Sequence, residues 1–129
     1  MTEFVYRKTI DGKATLLPHL KTTVESRLPK HNKIIHDILT SEHMPDWKIV
    51  FSPDDKRIEQ GRGYILRPLK TIIILLHTGK EMMVTLLHEI LHHKYPNLDE
   101  LATEKLGYKD YKERYGAELV DKEPIEGGG

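Results

Sequence analysis

The sequence has no cysteine among its 129 residues. This absence excludes disulfide bonds and metal sites built on thiolates. It also fits a reducing compartment, and the cytoplasm is the location that we expect.

Net charge and long hydrophobic runs are missing as well. Lysine plus arginine number 20, as do aspartate plus glutamate, so nothing favours nucleic acid or an anionic membrane as a partner. The longest apolar run covers residues 72–76, far short of the roughly 20 residues that cross a bilayer. The N-terminus carries no basic stretch followed by an apolar run, so we expect no secretory signal.

What the sequence does contain is ordinary for a globular domain, apart from its eight histidines. Hydrophobic residues make up 38% and charged residues 31%, and the length suits one domain with one core. The order of elements predicts an α+β fold, with a small antiparallel or mixed sheet packed on helices. The histidines direct attention to metal chemistry.

Local patterns predict the elements of the first half of the chain. Two short strands around Asp11-Gly12 predict an N-terminal hairpin over residues 1–17 with a tight type I′ turn. Apolar residues at helical spacing predict helices over residues 17–28 and 30–42. Alternating residues 47–52 predict a strand, and residues 64–66 and 71–76 predict a hairpin or two neighbouring strands.

The most clearly predicted helix begins at Thr78, whose side chain can form a capping box with Glu81. It is apolar nearly all round and stops at Pro96. We expect a helix over residues 98–106, capped by Asn97 and ended by Gly107, and a weaker one over residues 109–115. The elements of residues 18–117 form the predicted domain, and the charged residues 118–129 are expected to form a flexible tail.

Residues 88–92 of this helix read His-Glu-Ile-Leu-His, the HExxH pattern. Residues four apart lie on one helical face, so His88 and His92 can direct their imidazole nitrogens at one zinc ion. Glu89 lies about 100° around the helix, where it can reach a water molecule as general base without binding the metal. The competing interpretation is a histidine pair hydrogen-bonded in the core beside a salt-bridging glutamate.

A catalytic zinc ion needs a third protein ligand and one open position. The candidates follow the break at Pro96 and are Asp99, Glu100 and Glu104. Glu100 and Glu104 share a helical face, whereas Asp99 points elsewhere. Spacing alone leaves Glu100 and Glu104 nearly equal, because Glu100 can instead complete a capping box with Asn97.

At residues 47–107 the chain resembles the minigluzincins, a family of very small zinc metallopeptidases. The resemblance rests on the isoleucine-rich segment 71–76, the helix with LLHEILHHKYP and the following NLDELATEKLG. It implies one zinc ion bound by His88, His92 and Glu100, with Glu89 as catalytic base and Glu104 orienting a ligand. It further implies that residues 71–76 pair with an extended peptide substrate, whereas an internal strand with both edges occupied is the alternative.

The resemblance therefore predicts a zinc-dependent endopeptidase that cleaves extended polypeptides. It also implies latency through the C-terminal segment, whose Glu118, Asp121, Glu123 and Glu126 are competent zinc ligands. A flexible solubilising tail is the competing interpretation. The alternative function is a zinc-containing regulatory or protein-binding module with little proteolytic activity.

The remaining histidines and tyrosines carry weaker expectations. We expect four histidines to be solvated: His19, His31, His36 and His43. We place His93 at the surface or beside a metal ligand, and His77 is a candidate for facing the cleft. A tyrosine after the glutamate helix can stabilise an oxyanion, but Tyr108, Tyr111 and Tyr115 are more typical of packing.

Overall fold

The computed structural model describes residues 2–10, 13–16, 18–53 and 63–120, which contain five strands, four α-helices and one short 3₁₀ helix (Arg67–Leu69). The strands are β1 (Glu3–Ile10), β2 (Lys13–Leu16), β3 (Lys48–Ser52), β4 (Gly63–Leu66) and β5 (Thr71–Leu75). The helices are α1 (Pro18–Arg27), α2 (His31–Ser41), α3 (Gly79–Lys94) and α4 (Glu100–Val120). This content confirms the predicted α+β class. The Asp11-Gly12 turn and residues 121–129 of the predicted tail lie outside the described residues.

The strands form one mixed sheet in the order β2-β1-β3-β5-β4. The predicted N-terminal hairpin is present, since β1 pairs antiparallel with β2. The same strand also pairs in parallel with β3, which places Val5 opposite Val50. Strand β5 pairs in parallel with β3 and antiparallel with β4. The hairpin is thus continuous with the sheet of the predicted peptidase domain.

The two central strands are buried on both faces, which explains their content of β-branched residues. Ile49, Phe51 and Ile74 belong to the main hydrophobic core. Val50 and Ile73 are 1% and 0% exposed, and strand alternation places them on the opposite face. The sheet therefore supplies a rigid support for the helix that follows β5.

Helices α1 and α2 cover the core much as their apolar spacing predicts. Their bounds, Pro18–Arg27 and His31–Ser41, lie within one residue of the predicted limits. The buried side chains of both helices join one cluster with the central strands and α3, and include Leu20, Val24, Ile35 and Leu39.

The expectation that His31 is solvated is wrong. Its ring is fully buried, with Nδ1 2.8 Å from Glu25 Oε2 and Nε2 in a hydrogen bond with the Tyr6 hydroxyl. The rings of Phe4 and Phe51 contact it edge-on at centroid distances of 5.9 and 5.5 Å. Burial lowers the pKa of His31, because water no longer stabilises the charged imidazolium.

The C-terminal region forms one long helix rather than two short ones. The predicted end at Gly107 is wrong, since α4 continues through it to Val120 and takes in residues 118–120 of the predicted tail. A side-chain carbon added at Gly107 would lie 3.7 Å from His88 Cα, so this glycine marks a close approach of α4 to α3. No described helix combines the length and the apolar character needed to cross a bilayer.

Candidate metal centre

Helix α3 begins where the sequence predicts. The backbone N–H of Glu81 donates to Thr78 Oγ1 at 3.2 Å, which satisfies one of the free amides of the first turn. Strand β5 ends only four residues before the helix starts, so the sheet fixes the position of α3. The helix is then buried along most of its length, against the core on one side and α4 on the other.

His88 and His92 lie one turn apart on the same face of α3, as the spacing predicts. Their Nε2 atoms are 2.9 Å apart, and their ring centroids are 4.5 Å apart. The side chains are 16% and 24% exposed, so both rings are anchored in the protein while their Nε2 atoms face a common point.

Glu100 brings its carboxylate to the same point from α4. Its Oε1 lies 2.8 Å from His88 Nε2, and its Oε2 lies 3.1 Å from His92 Nε2. The cap of α4 comes from Asp99 instead of the predicted Asn97, because Asp99 Oδ1 accepts from the Ala102 N–H at 2.7 Å. Glu100 therefore occupies the first helical position and is not needed as a capping residue.

These three side chains fit a zinc ion. Their ligand atoms all lie within 4.8 Å of one another, as a shared metal ion requires. Nitrogen and oxygen donors at about 2.0 Å in tetrahedral geometry stand about 3.3 Å apart. The observed separations of 2.8, 2.9 and 3.1 Å are each within about 0.5 Å of that value. Three protein donors also leave one tetrahedral position open.

The electrostatic environment of His92 favours metal binding. The pKa of His92 is lowered, first by burial and then by the neighbouring His88. A lowered pKa favours the neutral imidazole, which is the form that binds a metal ion. For both Nε2 atoms to act as ligands, each neutral ring must carry its proton on Nδ1.

Glu89 lies beside the donors with its carboxyl group in a nearly dry environment. The residue is 7% exposed, and its side chain lines the same cavity as His88 and His92. Burial is the main cause that raises the pKa of Glu89 to about 7, with a smaller contribution from the negative charge of Glu100. The positive charge of Arg67 acts in the opposite direction.

The cavity around this group, called the cleft below, has a volume of about 510 Å³. One residue of the edge strand and two helices form its wall: Gly63 of β4, then Glu81, Val84, Thr85, His88, Glu89 and His92 of α3, then Glu100, Glu104 and Tyr108 of α4. Glu104 thus shares the cleft with Glu100 but is absent from the convergent donor group. The structure favours Glu100 over Glu104 as third donor.

The strand that borders the cleft is not the one that the sequence points to. Strand β5 (Thr71–Leu75) has β3 on one edge and β4 on the other, so it is the internal strand of the two alternatives. Strand β4 occupies the end of the sheet, and no strand among the described residues pairs with its outer edge. Its Gly63 lies in the cleft wall.

Arg67 is a residue of the site that sequence reasoning missed. It follows β4 directly, and its Nη2 donates to the main-chain oxygen of His92 at 2.8 Å. This hydrogen bond links the end of the edge strand β4 to the C-terminal part of α3, where His92 lies. No local sequence pattern distinguishes Arg67. It is 25 positions from His92 in the sequence, and only the fold brings the two residues into contact.

The other candidate side chains lie at different places. His93 packs against Trp47 with ring centroids 4.8 Å apart, and His77 is not among the residues that line the cleft. His36 contacts Thr2 Oγ1 at 2.8 Å through Nδ1, so it is partly buried instead of solvated. Tyr108 reaches the cleft, whereas Tyr111 is 1% exposed and belongs to the core.

Comparison of the chain with protein-family models, with curated proteins and with solved structures finds no match. The resemblance to the minigluzincins therefore rests on the motif residues themselves.

Proposed function

We propose that this protein is a zinc-dependent endopeptidase. The observation that carries the proposal is the convergence of His88, His92 and Glu100 beside the buried carboxyl group of Glu89. Two histidines and one glutamate form a donor set used by zinc peptidases, and the set leaves one position open. A closed shell of four protein ligands would instead favour a structural role.

Bound zinc would supply a Lewis acid that polarises the scissile carbonyl and lowers the pKa of water. We assign the role of general base to Glu89, which would take a proton from the attacking water molecule, since it lines the cleft next to the donor group. The same carboxyl group can then deliver that proton to the leaving amine.

Strand β4 is the element that we expect to hold the substrate. An extended peptide can add to the unpaired edge of a sheet, where main-chain hydrogen bonds supply affinity without regard to sequence. The outer edge of β4 faces no other described strand, and Gly63 brings the strand into the cleft wall. This assignment moves the substrate-pairing role from β5 to β4.

Casein hydrolysis by the zinc-loaded protein tests the proposal. We expect wild type to degrade casein, and Glu89→Gln to bind zinc equally while losing hydrolysis, because an amide cannot accept the proton. Lys94→Gln is a suitable control, since Lys94 lies on the same helix outside the cleft wall. Equal activity of Glu89→Gln and wild type would remove Glu89 from the base role. Zinc-loaded wild type that cleaves neither casein nor short peptides would favour the regulatory module.

A further inference from the structure

The last turn of α3 contains a carbonyl group that the helix itself cannot satisfy. In an α-helix each carbonyl oxygen accepts from the amide four residues later, as the oxygen of Leu91 does from the Tyr95 N–H at 2.8 Å. The carbonyl of His92 would need the amide of residue 96, which is Pro96 and has no N–H. The turn that carries a metal donor therefore depends on a hydrogen-bond donor from outside the helix.

Arg67 supplies that donor. Its Nη2 donates to the main-chain oxygen of His92 at 2.8 Å, and its cationic charge lies at the C-terminal end of α3, where the helix dipole favours positive charge. A hydrogen bond from a charged donor is stronger than one between neutral groups. The contact is exposed, so water can replace it as a donor, but a mobile water molecule does not hold the helix end in place.

The turn that carries Arg67 is rigid. Arg67 begins the short 3₁₀ helix Arg67–Leu69, and the ring of Pro68 fixes the backbone φ angle of that residue. The N–H of Lys70 donates to the oxygen of Arg67 at 3.0 Å, and the N–H of Lys48 donates to the oxygen of Lys70 at 2.8 Å. Strands β4 and β5, which pair with each other, flank the turn. The sheet thus holds the backbone of Arg67 independently of α3.

The position of the last turn matters because His92 is the histidine donor nearer to the helix end. Helix α3 ends at Lys94, two residues after His92, whereas His88 lies a full turn further inside the helix. Zinc–ligand distances are held to within about 0.2 Å. A larger displacement of the last turn would therefore weaken the bond from His92 while leaving His88 in place.

We propose that Arg67 is a positioning residue for the metal centre. By holding the carbonyl oxygen of His92, it keeps the last turn of α3, and with it His92 Nε2, beside the other two donors. Arg67 is not among the residues that line the cleft, so it acts through His92 and not by contact with the substrate. The inference rests on the zinc centre of the proposed function, and it names a residue outside the donor set that determines how tightly the ion is bound.

Zinc affinity of full-length variants, measured by competition with a chelator, tests this role. Arg67→Met keeps an unbranched side chain but removes the donor and the charge, and it should weaken zinc binding about tenfold, as loss of a hydrogen-bond partner of a ligand residue does. Arg67→Lys retains a cationic donor and should recover part of the affinity. Lys70→Met is the matched control. Lys70 lies beside the same turn but pairs with Asp46 at 2.8 Å, so its loss should leave zinc affinity unchanged.

Cobalt(II) in place of zinc gives a spectroscopic readout that is separate from stability. It binds the same kinds of nitrogen and oxygen donors, and its visible absorption depends on the geometry of its ligands. In folded, fully cobalt-loaded protein, Arg67→Met should shift or weaken the absorption bands, whereas Lys70→Met should have the wild-type spectrum. A residue that only stabilised the fold would change the urea midpoint of the metal-free protein and leave the cobalt spectrum unchanged.

Two results would overturn the positioning role. One is wild-type zinc affinity together with the wild-type cobalt spectrum in Arg67→Met. The other is an equal loss of affinity in Arg67→Met and Lys70→Met, which would assign the effect to the turn as a whole.

Neither readout requires hydrolysis, so failure of this inference is distinguishable from failure of the proposed function. If the wild type binds zinc in an Arg67-dependent way but cleaves no casein, the peptidase function fails and the positioning role stands. If the wild type cleaves casein while Arg67→Met keeps full zinc affinity and an unchanged cobalt spectrum, the positioning role fails and the peptidase function stands.

Discussion

Replacement of Gly63 with alanine should destabilise the protein where β4 meets α3. A side-chain carbon at this position would overlap Thr85 Cγ2 and lie 2.6 Å from the main-chain oxygen of Ile73. The threonine methyl can rotate away. The oxygen of Ile73 belongs to the paired strand β5 and moves only with its backbone. Overpacking of this kind costs about 1–3 kcal/mol in the free energy of unfolding.

Gly107→Ala is the matched control, and we expect the opposite sign. The atoms nearest to a side-chain carbon there belong to His88, at 3.7 and 3.8 Å, which is ordinary van der Waals contact. Alanine is favoured over glycine inside a helix by about 0.5–1 kcal/mol. If Gly107 instead ended a helix in the left-handed conformation, alanine would be destabilising.

Urea denaturation of the zinc-free proteins, followed by circular dichroism, measures both effects. A chelator keeps zinc binding from contributing to stability. For m of about 2 kcal/mol/M, a loss of 2 kcal/mol lowers the midpoint by about 1 M. Gly63→Ala with the wild-type midpoint would refute the packing argument at β4. A marked loss of stability in Gly107→Ala would refute the continuous α4 helix.

Three further predictions follow from the structure. Glu100→Ala should weaken zinc binding, measured by competition with a chelator, far more than Glu104→Ala, and the reverse order would reverse the ligand assignment. The pKa of His31 is lowered in the folded protein, so below pH 6.5 the unfolded chain binds a proton at this histidine more readily than the folded protein does, and stability falls as the pH falls. Between pH 7.5 and 5.5 the melting temperature of His31→Gln should therefore fall less than that of wild type or of the exposed His19→Gln. The predicted helix over residues 109–115 would suggest truncation after Tyr115, but α4 extends to Val120. Truncation after Val120 should therefore raise casein hydrolysis if the C-terminal segment causes latency. Unchanged activity of a folded, zinc-loaded protein would leave that segment without an inhibitory role.

The convergence of His88 and His92 could be predicted from the sequence because its determinants are local. Any α-helix places residues i and i+4, such as His88 and His92, on one face. Thr78 caps that helix by accepting a hydrogen bond from the backbone N–H of Glu81, three residues later. Glu100 was harder, because its approach depends on a tight connection between two helices. Spacing left Glu100 and Glu104 open, and only the folded helix hairpin brings Glu100 to both histidines.

The missed features depend on contacts between segments distant in sequence. His31 looked solvated because it begins an amphipathic helix, yet Glu25 and Tyr6 surround it once β1 joins the sheet. The sequence allows β5 to be an edge strand, because the residue pattern of a strand does not show which strands pair with it; in the structure β5 lies between β3 and β4. Gly107 looked like a helix terminator because a glycine that permits close helix packing has the same local signature.

Zinc stoichiometry is the measurement that tests the central claim most directly. After dialysis against metal-free buffer, elemental analysis of the wild-type protein should find about one zinc ion per chain. His88→Ala and His92→Ala should each lose it, because two remaining donors cannot hold the ion tightly. Wild-type protein that retains no zinc, or variants that both retain as much as wild type, would contradict the metal centre described here.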